Sequence, residues 1–506
     1  MARVVGSGHR SAMDPVKLSA PLGGALVFLG LDRSIPVLHG SQGCAAFAKA
    51  LLTRHFREPV PMQSTAVTEV PAVLGPAPHL HAALDTITQA LSPQVIGVLS
   101  TGLVEASGED LDGVMDGYRR RTGGGGPLVV AASTPDFVGG LSEGWSTALT
   151  ALVTQVVQAP VWPPPGLSAA DGRGAGGGVP RPTGLPGSAG GIAGSGGGVP
   201  GPGRDGGGPV LPVLAGVSLT AADLDEIAWL VSAFGLRPVL VPDLSGSLDG
   251  HLADGWSPLT TGGTTTAGLG SLREAPVVHA VGVTAAAAAA GLASLTGAEV
   301  VTRAHLAGTE AVDGFVRELA ELGGTVAPQE VRRWRSRFAD TLLDAHLVLG
   351  GRRIAIAAEP EHLAGVAALL AGVGAEVVAA VAPTPHALLA EVPCEEVVVG
   401  DLEDLRERAR EAGAELVVGS SHAGRVAAEL GAAHLPCGIP VHDRLGTALR
   451  GISGYRAGTA FLVEAANRLL ERAHHADPAL TEPALTEPAL TEPALTDPAL
   501  TDPERR

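Results

Sequence analysis

The segment from Leu38 to Cys44 reads Leu-His-Gly-Ser-Gln-Gly-Cys and combines one thiol with two glycines. The glycines allow a tight turn, and the run Ala45 to Leu52 that follows is rich in strong helix formers. The pattern predicts that Cys44 lies at or near a helix N-terminus, where backbone N–H groups and the helix dipole favour a thiolate. A thiolate can bind a metal. The alternative is a small buried hydrophobe, because free cysteine is among the most buried residue types.

The cysteine count limits what Cys44 can do alone. Three cysteines in 506 residues cannot form a disulfide framework and indicate a reducing compartment. We expect Cys394, which precedes a predicted strand, and Cys437, in the sequence Leu-Pro-Cys-Gly, to be structural. An iron-sulfur cluster normally takes four cysteine ligands. If Cys44 binds a cluster, the remaining ligands must therefore come from another polypeptide.

Two polar segments follow apolar runs near the C-terminus. Residues 419–424 read Gly-Ser-Ser-His-Ala-Gly, and residues 441–444 read Val-His-Asp-Arg. Sites in α/β proteins are built at such strand ends, yet strand-end loops are often polar for structural reasons alone. His79 and His81 follow two prolines without nearby carboxylates or thiols, which favours a loop or a helix start over a metal site. The sequence contains neither a Walker-type loop nor a Gly-x-Ser-x-Gly elbow directly after a predicted strand, so it does not support nucleotide or hydrolase chemistry.

Alternating strands and helices must position these residues. Continuous apolar runs that alternate with helical stretches predict parallel sheets covered on both faces. At roughly 150 residues per domain the length suggests about three domains. The fold prediction is therefore α/β, with three Rossmann-like doubly wound domains and mostly parallel sheets. The predicted strands are Val95–Ser100, Leu128–Ala132, Val210–Val217, Pro238–Val241, Val277–Val281, Arg353–Ala358, Glu376–Val381, Glu396–Gly400 and Glu415–Gly419.

Composition shifts predict the domain boundaries. Residues 163–209 contain 19 Gly and 9 Pro in 47 residues. This composition buries too little apolar area to offset the entropy lost when the segment is ordered. The C-terminal tail repeats (Asp or Glu)-Pro-Ala-Leu-Thr, whose prolines recur too often for a helix. The predicted segments are a flexible leader (1–16), an N-terminal α/β domain carrying Cys44 (17–162), a Gly/Pro-rich disordered insertion (163–209), a middle α/β domain (210–345), a C-terminal α/β domain (346–475) and a disordered acidic repeat tail (476–506).

The charge and the N-terminus restrict partners and location. A formal net charge of −18 repels phosphate backbones and anionic lipid, so we expect neither nucleic acid nor membrane as a partner. The first 18 residues are polar and broken by Gly and Pro, without the apolar core of a signal peptide. The expected location is therefore the cytoplasm.

Several longer motifs resemble a known family. Residues 21–26 (Pro-Leu-Gly-Gly-Ala-Leu), 28–33 (Phe-Leu-Gly-Leu-Asp-Arg), 38–47 around Cys44, and 54–59 (Arg-His-Phe-Arg-Glu-Pro) resemble the β-type subunits of the nitrogenase component 1 family. Residues 438–446 (Gly-Ile-Pro-Val-His-Asp-Arg-Leu-Gly) continue the likeness. The resemblance covers nearly everything except the leader, the insertion and the tail.

The resemblance also implies a ligand set. Catalytic β subunits of this family carry three cysteine ligands to an eight-iron P-cluster, and the matching positions here are Ser19, Cys44 and Gly102, with Asp136 at a nearby serine ligand position. Two of the three thiolates are missing, so the chain resembles the cofactor-assembly branch of the family. That branch implies a 4Fe-4S cluster shared with a partner subunit, with Cys44 as the metal ligand from this chain and no catalytic residues.

The same branch implies a set of partners. They are a NifE-type α subunit in an α2β2 heterotetramer, the nitrogenase iron protein, and apo molybdenum-iron protein as the recipient of the finished cofactor. An iron-molybdenum cofactor precursor would be held mainly by the α-type partner, which makes the chain a scaffold more than an enzyme. His442 departs from the pattern, since related β-type chains more often carry an apolar or aromatic residue there.

Two other functions remain open at this point. One is the β subunit of an oxidoreductase, either the molybdenum-iron protein or the light-independent protochlorophyllide reductase. Ser19 and Gly102 argue against the first of these, and the likeness at residues 54–59 argues against the second. The other is a small-molecule binding protein of stacked Rossmann-like domains, which the bare fold permits.

Overall fold

Three parallel sheets organise the chain, in a computed structural model that describes residues 1–9, 12–123, 126–163, 208–252 and 255–476, with side chains to residue 473. The strands are β1 (Arg3–Gly6), β2 (Ser34–His39), β3 (Gln63–Ser64), β4 (Val95–Ser100), β5 (Leu128–Ala132), β6 (Val210–Ala215), β7 (Arg237–Val241), β8 (Val277–Val281), β9 (Glu299–Arg303), β10 (Arg353–Ala357), β11 (Glu376–Ala382), β12 (Glu396–Val399), β13 (Leu416–Gly419) and β14 (Ala433–Pro436).

The strands form three separate sheets. The strand order is β3-β2-β4-β5 in the N-terminal sheet, β7-β6-β8-β9 in the middle sheet and β1-β12-β11-β10-β13-β14 in the C-terminal sheet. All neighbouring strands in these sheets pair in parallel. Parallel strands require crossover connections, which the intervening helices supply. The predicted α/β class with parallel sheets is confirmed.

Helices cover the sheets. In chain order they are α1 (Ala20–Leu29), α2 (Gln42–Phe56), α3 (Glu69–Leu74), α4 (Ala77–Leu91), α5 (Gly102–Ala106), α6 (Leu111–Thr122), α7 (Leu141–Gln158), α8 (Ala221–Ala233), α9 (Thr266–Gly270), α10 (Ala286–Thr296), α11 (Thr309–Leu322), α12 (Gln329–Leu349), α13 (Pro360–Ala371), α14 (Leu402–Ala412), α15 (Ala423–Leu430) and α16 (Gly454–Ala476). Within the described residues, no helix is both long enough and apolar enough to cross a membrane.

Helix α1 is buried on every face, as its uniformly apolar sequence requires. It crosses α7 so closely that a Cβ atom on Gly23 would lie 1.9 Å from the carbonyl oxygen of Leu141, and one on Gly144 would lie 1.8 Å from that of Ala20. Only glycine permits this backbone approach. The contact fixes Ser19 and Ala20, at the start of α1, against the loop that precedes α7.

The structure corrects two boundary predictions. Arg3–Gly6, assigned to a flexible leader, forms the edge strand β1, which pairs in parallel with β12 of the C-terminal sheet. Ala2 is buried beside it, and Arg3 forms an ion pair with Glu396. The predicted boundary between residues 345 and 346 falls inside α12, which continues to Leu349. Apart from their ends, the predicted insertion (163–209) and tail (476–506) lie outside the described residues.

Candidate metal centre

Cys44 occupies the first turn of α2, as the sequence predicted. Strand β2 ends at His39, Gly40 and Ser41 turn the chain, and Ser41 is the N-cap of the helix. The Cys44 sulfur is partly exposed and lies 3.3 Å from the hydroxyl oxygen of Ser41. The first backbone N–H groups of a helix have no partner within it, and they favour negative charge nearby. The position suits a sulfur that carries charge as a metal ligand.

A buried hydrogen-bond network holds the loop that carries Cys44. His39 Nε2 donates to Glu109 over 2.6 Å, and His39 Nδ1 lies 2.9 Å from the hydroxyl oxygen of Thr65. That hydroxyl in turn accepts the N–H of Gly40. Gly40 is packed so tightly that a Cβ atom would lie 2.0 Å from the Thr101 hydroxyl. Burial lowers the pKa of His39, and the neighbouring Glu109 opposes that shift.

One groove of about 480 Å³ brings together three of the four positions that the family resemblance selected: Ser19, Cys44 and Asp136. Thr101 also lines it, so the fourth position, Gly102, follows directly in sequence. Asp136 accepts the N–H of Ala20 over 3.2 Å. Partial burial raises the pKa of Asp136, opposed by that hydrogen bond. The positions selected by the resemblance therefore lie together in the folded chain, although Cys44 alone among the four carries a thiol.

The surroundings of the groove are apolar and basic. Phe47 lines the groove and is 81 % exposed. Phe137 and Val138, which directly follow Asp136 in the chain, are 68 % and 76 % exposed. Large exposed apolar side chains in one region mark a binding surface. Lys17 and Arg54 also line the groove. Two cations against the one carboxylate of Asp136 give the groove a net positive lining in a chain of net charge −18, which favours an anionic ligand.

The motif at residues 54–59 joins α2 to the C-terminal domain. Its buried His55 accepts the N–H of Val441 over 3.0 Å, and burial lowers the pKa of His55 to about 4. Arg57 ends the helix in the left-handed conformation and donates to the carbonyl oxygen of His442 over 2.6 Å. The motif was recognised from the sequence, but its role as an interdomain contact required partners nearly 400 residues away.

The two polar segments near the C-terminus meet beside the groove. The N–H of His442 donates to the Ser421 hydroxyl over 2.9 Å, and that hydroxyl also bonds Asp443. The rings of His422 and His442 lie 5.7 Å apart, and both line the groove. Burial lowers the pKa of His422, and His442 adds to the shift. These strand ends therefore belong to the same surface as Cys44.

The other two cysteines lie elsewhere. Cys394 donates to the carbonyl oxygen of Glu396, and burial raises its pKa to about 11. Cys437 lies 2.7 Å from His362 Nε2 in an interior cavity, and burial raises its pKa to about 12. In the described part of the chain, no group of three or more His, Cys, Asp or Glu side chains is arranged to hold a metal ion.

The interior cavity, of about 130 Å³, lies between the three domains. Its walls include His55 of α2, Ser218 after β6, Glu359 after β10 and Cys437 after β14. The carboxylate of Glu359 accepts a hydrogen bond from Ser142, and burial raises its pKa to about 7. Nothing in the local sequence around Glu359 indicates that its side chain is buried, so its place in the cavity could not be predicted.

Glu359→Gln should remove a pH-dependent loss of stability. Between pH 4.5 and 7 the carboxyl is ionised in the unfolded chain but protonated in the folded one, so stability falls as pH rises and is constant above the folded pKa. The shift corresponds to about 3 kcal/mol. Urea unfolding at pH 5 and pH 8, which span most of this window, should show the variant gaining about 2–3 kcal/mol of stability relative to the wild type between the two pH values. An unchanged difference between the two pH values would contradict the assignment.

With this geometry in place, comparison with known proteins defines the class. Residues 19–470 match the nitrogenase component 1 type oxidoreductase family, and the chain belongs to it. A solved structure of nitrogenase Cp1 at pH 6.5 superimposes with a TM-score of 0.78, covering 93 % of this chain and 96 % of the other. At 23 % identity that likeness speaks for the fold, and it agrees with the predicted architecture.

Within the family, the chain is similar to proteins of iron-molybdenum cofactor biosynthesis. The chain is 37 % identical over 476 residues to the nitrogenase iron-molybdenum cofactor biosynthesis protein NifN of Rippkaea orientalis, covering 92 % of this chain and 95 % of that protein. It is 36 % identical over 485 residues to the NifN protein of Sinorhizobium fredii, covering 95 % and 98 %. The predicted resemblance to the cofactor-assembly branch is confirmed.

Proposed function

We propose that this chain is a cytoplasmic scaffold subunit for assembly of the nitrogenase iron-molybdenum cofactor, and that it binds one corner of a 4Fe-4S cluster through Cys44. The names of its relatives support the role in cofactor biosynthesis. The observation that carries the proposal is the donor set of the groove. Among its lining residues Cys44 is the only thiol, while Ser19 and Asp136 stand beside it. One thiol cannot complete a cluster that takes four ligands.

The remaining three thiolates would come from a NifE-type α subunit, across an interface that covers the groove. The exposed Phe47, Phe137 and Val138 supply apolar area for that contact and would exclude water from the cluster. The Ser41 hydroxyl can donate to the Cys44 sulfur, and Lys17 and Arg54 offset negative charge. When bound, the cluster supplies one-electron redox chemistry. The residues of this chain hold it, orient it and shield it.

The wider assembly follows from the same proposal. Two αβ pairs would form an α2β2 heterotetramer, with a precursor of the iron-molybdenum cofactor held mainly by the α-type partner. The nitrogenase iron protein would act on this complex during maturation, and apo molybdenum-iron protein would receive the product. No residue of this chain is assigned a catalytic role.

Iron content tests the proposal directly. The chain, co-purified anaerobically with its α-type partner, should contain about four irons per αβ pair, the content of one 4Fe-4S cluster. A catalytic nitrogenase subunit, the alternative that the family description keeps open, would give about eight irons in the interface cluster and further iron in its cofactor. A small-molecule binding protein would give none. Either of the last two results would reject the scaffold assignment.

A further inference from the structure

The interior cavity lies where an α/β sheet offers a ligand site. It opens beyond the carboxyl ends of β10, β13 and β14, and the end of β6 faces it from the middle domain. The order of the C-terminal sheet reverses between β10 and β13, since β11 and β12 lie on one side of β10 and β13 and β14 on the other. Crevices at such reversal points are the usual ligand sites of open parallel sheets.

A thiol and an imidazole meet in this cavity. Cys437 directly follows β14, and His362 lies in the first turn of α13, with Nε2 2.7 Å from the sulfur. His362 is 4 % exposed, and its Nδ1 has no hydrogen bond of standard geometry. The Ser218 hydroxyl, on the opposite wall, is also buried without a hydrogen bond of standard geometry and has the Glu361 carboxyl as its neighbour. Buried polar atoms without partners are costly, at about 1–3 kcal/mol each, and point to an occupant.

The charge around the pair is acidic. Glu359 lines the cavity, Glu361 is buried in the same turn of α13, and the charge of Asp223 acts on both His362 and Cys437. Arg450, the cation of the lining, is paired with Glu464. The Glu361 carboxylate accepts hydrogen bonds from Ser218 and Thr284, and no unpaired Lys or Arg among the described residues lines the cavity. A positive ion would relieve this excess.

We propose that Cys437 and His362 bind one divalent metal ion of borderline softness, of the Zn²⁺ or Fe²⁺ class, in the interior cavity. The ion forms one bond to the Cys437 sulfur and one to His362 Nε2, and the S–H proton is released to solvent. Water molecules in the cavity complete the coordination. Thiolate and imidazole are the donors that such ions prefer. The site is separate from Cys44 and does not depend on the proposed function.

The pair can open to admit the ion. Bond lengths of about 2.3 Å to sulfur and 2.0–2.1 Å to nitrogen at a tetrahedral angle place the two atoms about 3.6 Å apart. The present separation is 2.7 Å, so the side chains must part by roughly 0.9 Å. The adjoining cavity of about 130 Å³ provides room for that movement and for the water ligands.

Cobalt titration of the full-length Cys44→Ala chain tests the site without interference from the groove. Added Co²⁺ should bind one per chain and produce a thiolate-to-cobalt charge-transfer band in the near ultraviolet. Cys437→Ser in the same background should abolish the band, and His362→Gln should weaken binding at least ten-fold. Cys394→Ser, which changes the other remaining thiol, should retain it. Absence of the band, or its survival in Cys437→Ser, overturns the proposal.

A second measurement covers the case in which Cys437→Ser fails to fold. In the Cys44→Ala, Cys394→Ser double variant Cys437 is the sole thiol of the chain. The cobalt-edge X-ray absorption spectrum of that variant should contain one sulfur scatterer with nitrogen or oxygen neighbours. A coordination sphere of nitrogen and oxygen alone would refute the site. Because the variant lacks Cys44, neither result bears on the interface cluster.

Discussion

Replacing Cys44 with alanine is expected to remove the cluster from the two-chain complex. Iron should fall from about four per αβ pair to below one, and the electron paramagnetic resonance signal of the reduced cluster should disappear. Alanine has no donor atom, and neither Ser19 nor Asp136 supplies a thiolate in its place. Iron analysis and spectroscopy on the anaerobically purified complex measure both effects.

The matched control is Cys394→Ala. This thiol lies outside the groove and donates to the carbonyl oxygen of Glu396, so its loss should leave iron content and spectrum unchanged. The Cys44 side chain is partly exposed, and its replacement should change the free energy of unfolding by about 1 kcal/mol or less. Loss of iron from a folded Cys44→Ala complex therefore reports ligation. A full iron complement with an unaltered spectrum would exclude Cys44 as a ligand.

The position of Cys44 could be predicted because its determinants are local. Two glycines and a run of helix formers are enough to place a thiol in the first turn of a helix. The strands predicted near the C-terminus are likewise confirmed. In Arg353–Ala357 and Glu376–Ala382 every residue after the charged first one is apolar, a pattern that the sequence shows directly. Local pattern thus accounts for the fold class and for the position of Cys44 in the first turn of α2.

Other strands could not be predicted from pattern. Ser34–His39 contains Pro36, and a proline in a run argues against a central strand. Glu299–Arg303 is only partly buried and carries charge at both ends. Gln63–Ser64 has two residues, and Arg3–Gly6 is stabilised by pairing with a strand almost 400 residues away. In each case the strand forms because it pairs with another strand, which the local pattern of its own residues does not show.

The supports of the site escaped prediction for the same reason. His39 and Glu109 are 70 residues apart. They meet because the C-terminal end of β2 and the loop before α6 lie at the same end of the N-terminal sheet. The one signal in the sequence was the position of His39 within the motif around Cys44, which could have indicated that His39 supports that loop. The contact between His362 and Cys437 joins positions 75 residues apart, and no spacing rule brings them together.

Asp223→Ala is expected to lower the free energy of unfolding by about 3–5 kcal/mol, more than any other substitution considered for this chain. The fully buried carboxylate accepts the N–H and the hydroxyl of Thr220 at the start of α8, and also the N–H groups of Ile452 and Ser453 just before α16. Alanine leaves three backbone donors buried without partners, each costing roughly 1–3 kcal/mol before relaxation. Urea unfolding or calorimetry at neutral pH measures the loss.

Two comparisons separate the loss of the interdomain bonds from the loss of a helix cap. Thr220→Ala removes the reciprocal cap of α8 and the bond from its hydroxyl to the carbonyl oxygen of Arg450, but it keeps the carboxylate bonds to Ile452 and Ser453. It should therefore cost about 1–2 kcal/mol, less than Asp223→Ala. Asp112→Ala, at an exposed first-turn position of α6, should change stability by no more than about 0.5 kcal/mol. If Asp223→Ala costs no more than Thr220→Ala, the carboxylate does not tie α16 to α8. The large difference is expected because the two backbone donors before α16 have Asp223 as their partner 229 and 230 residues away.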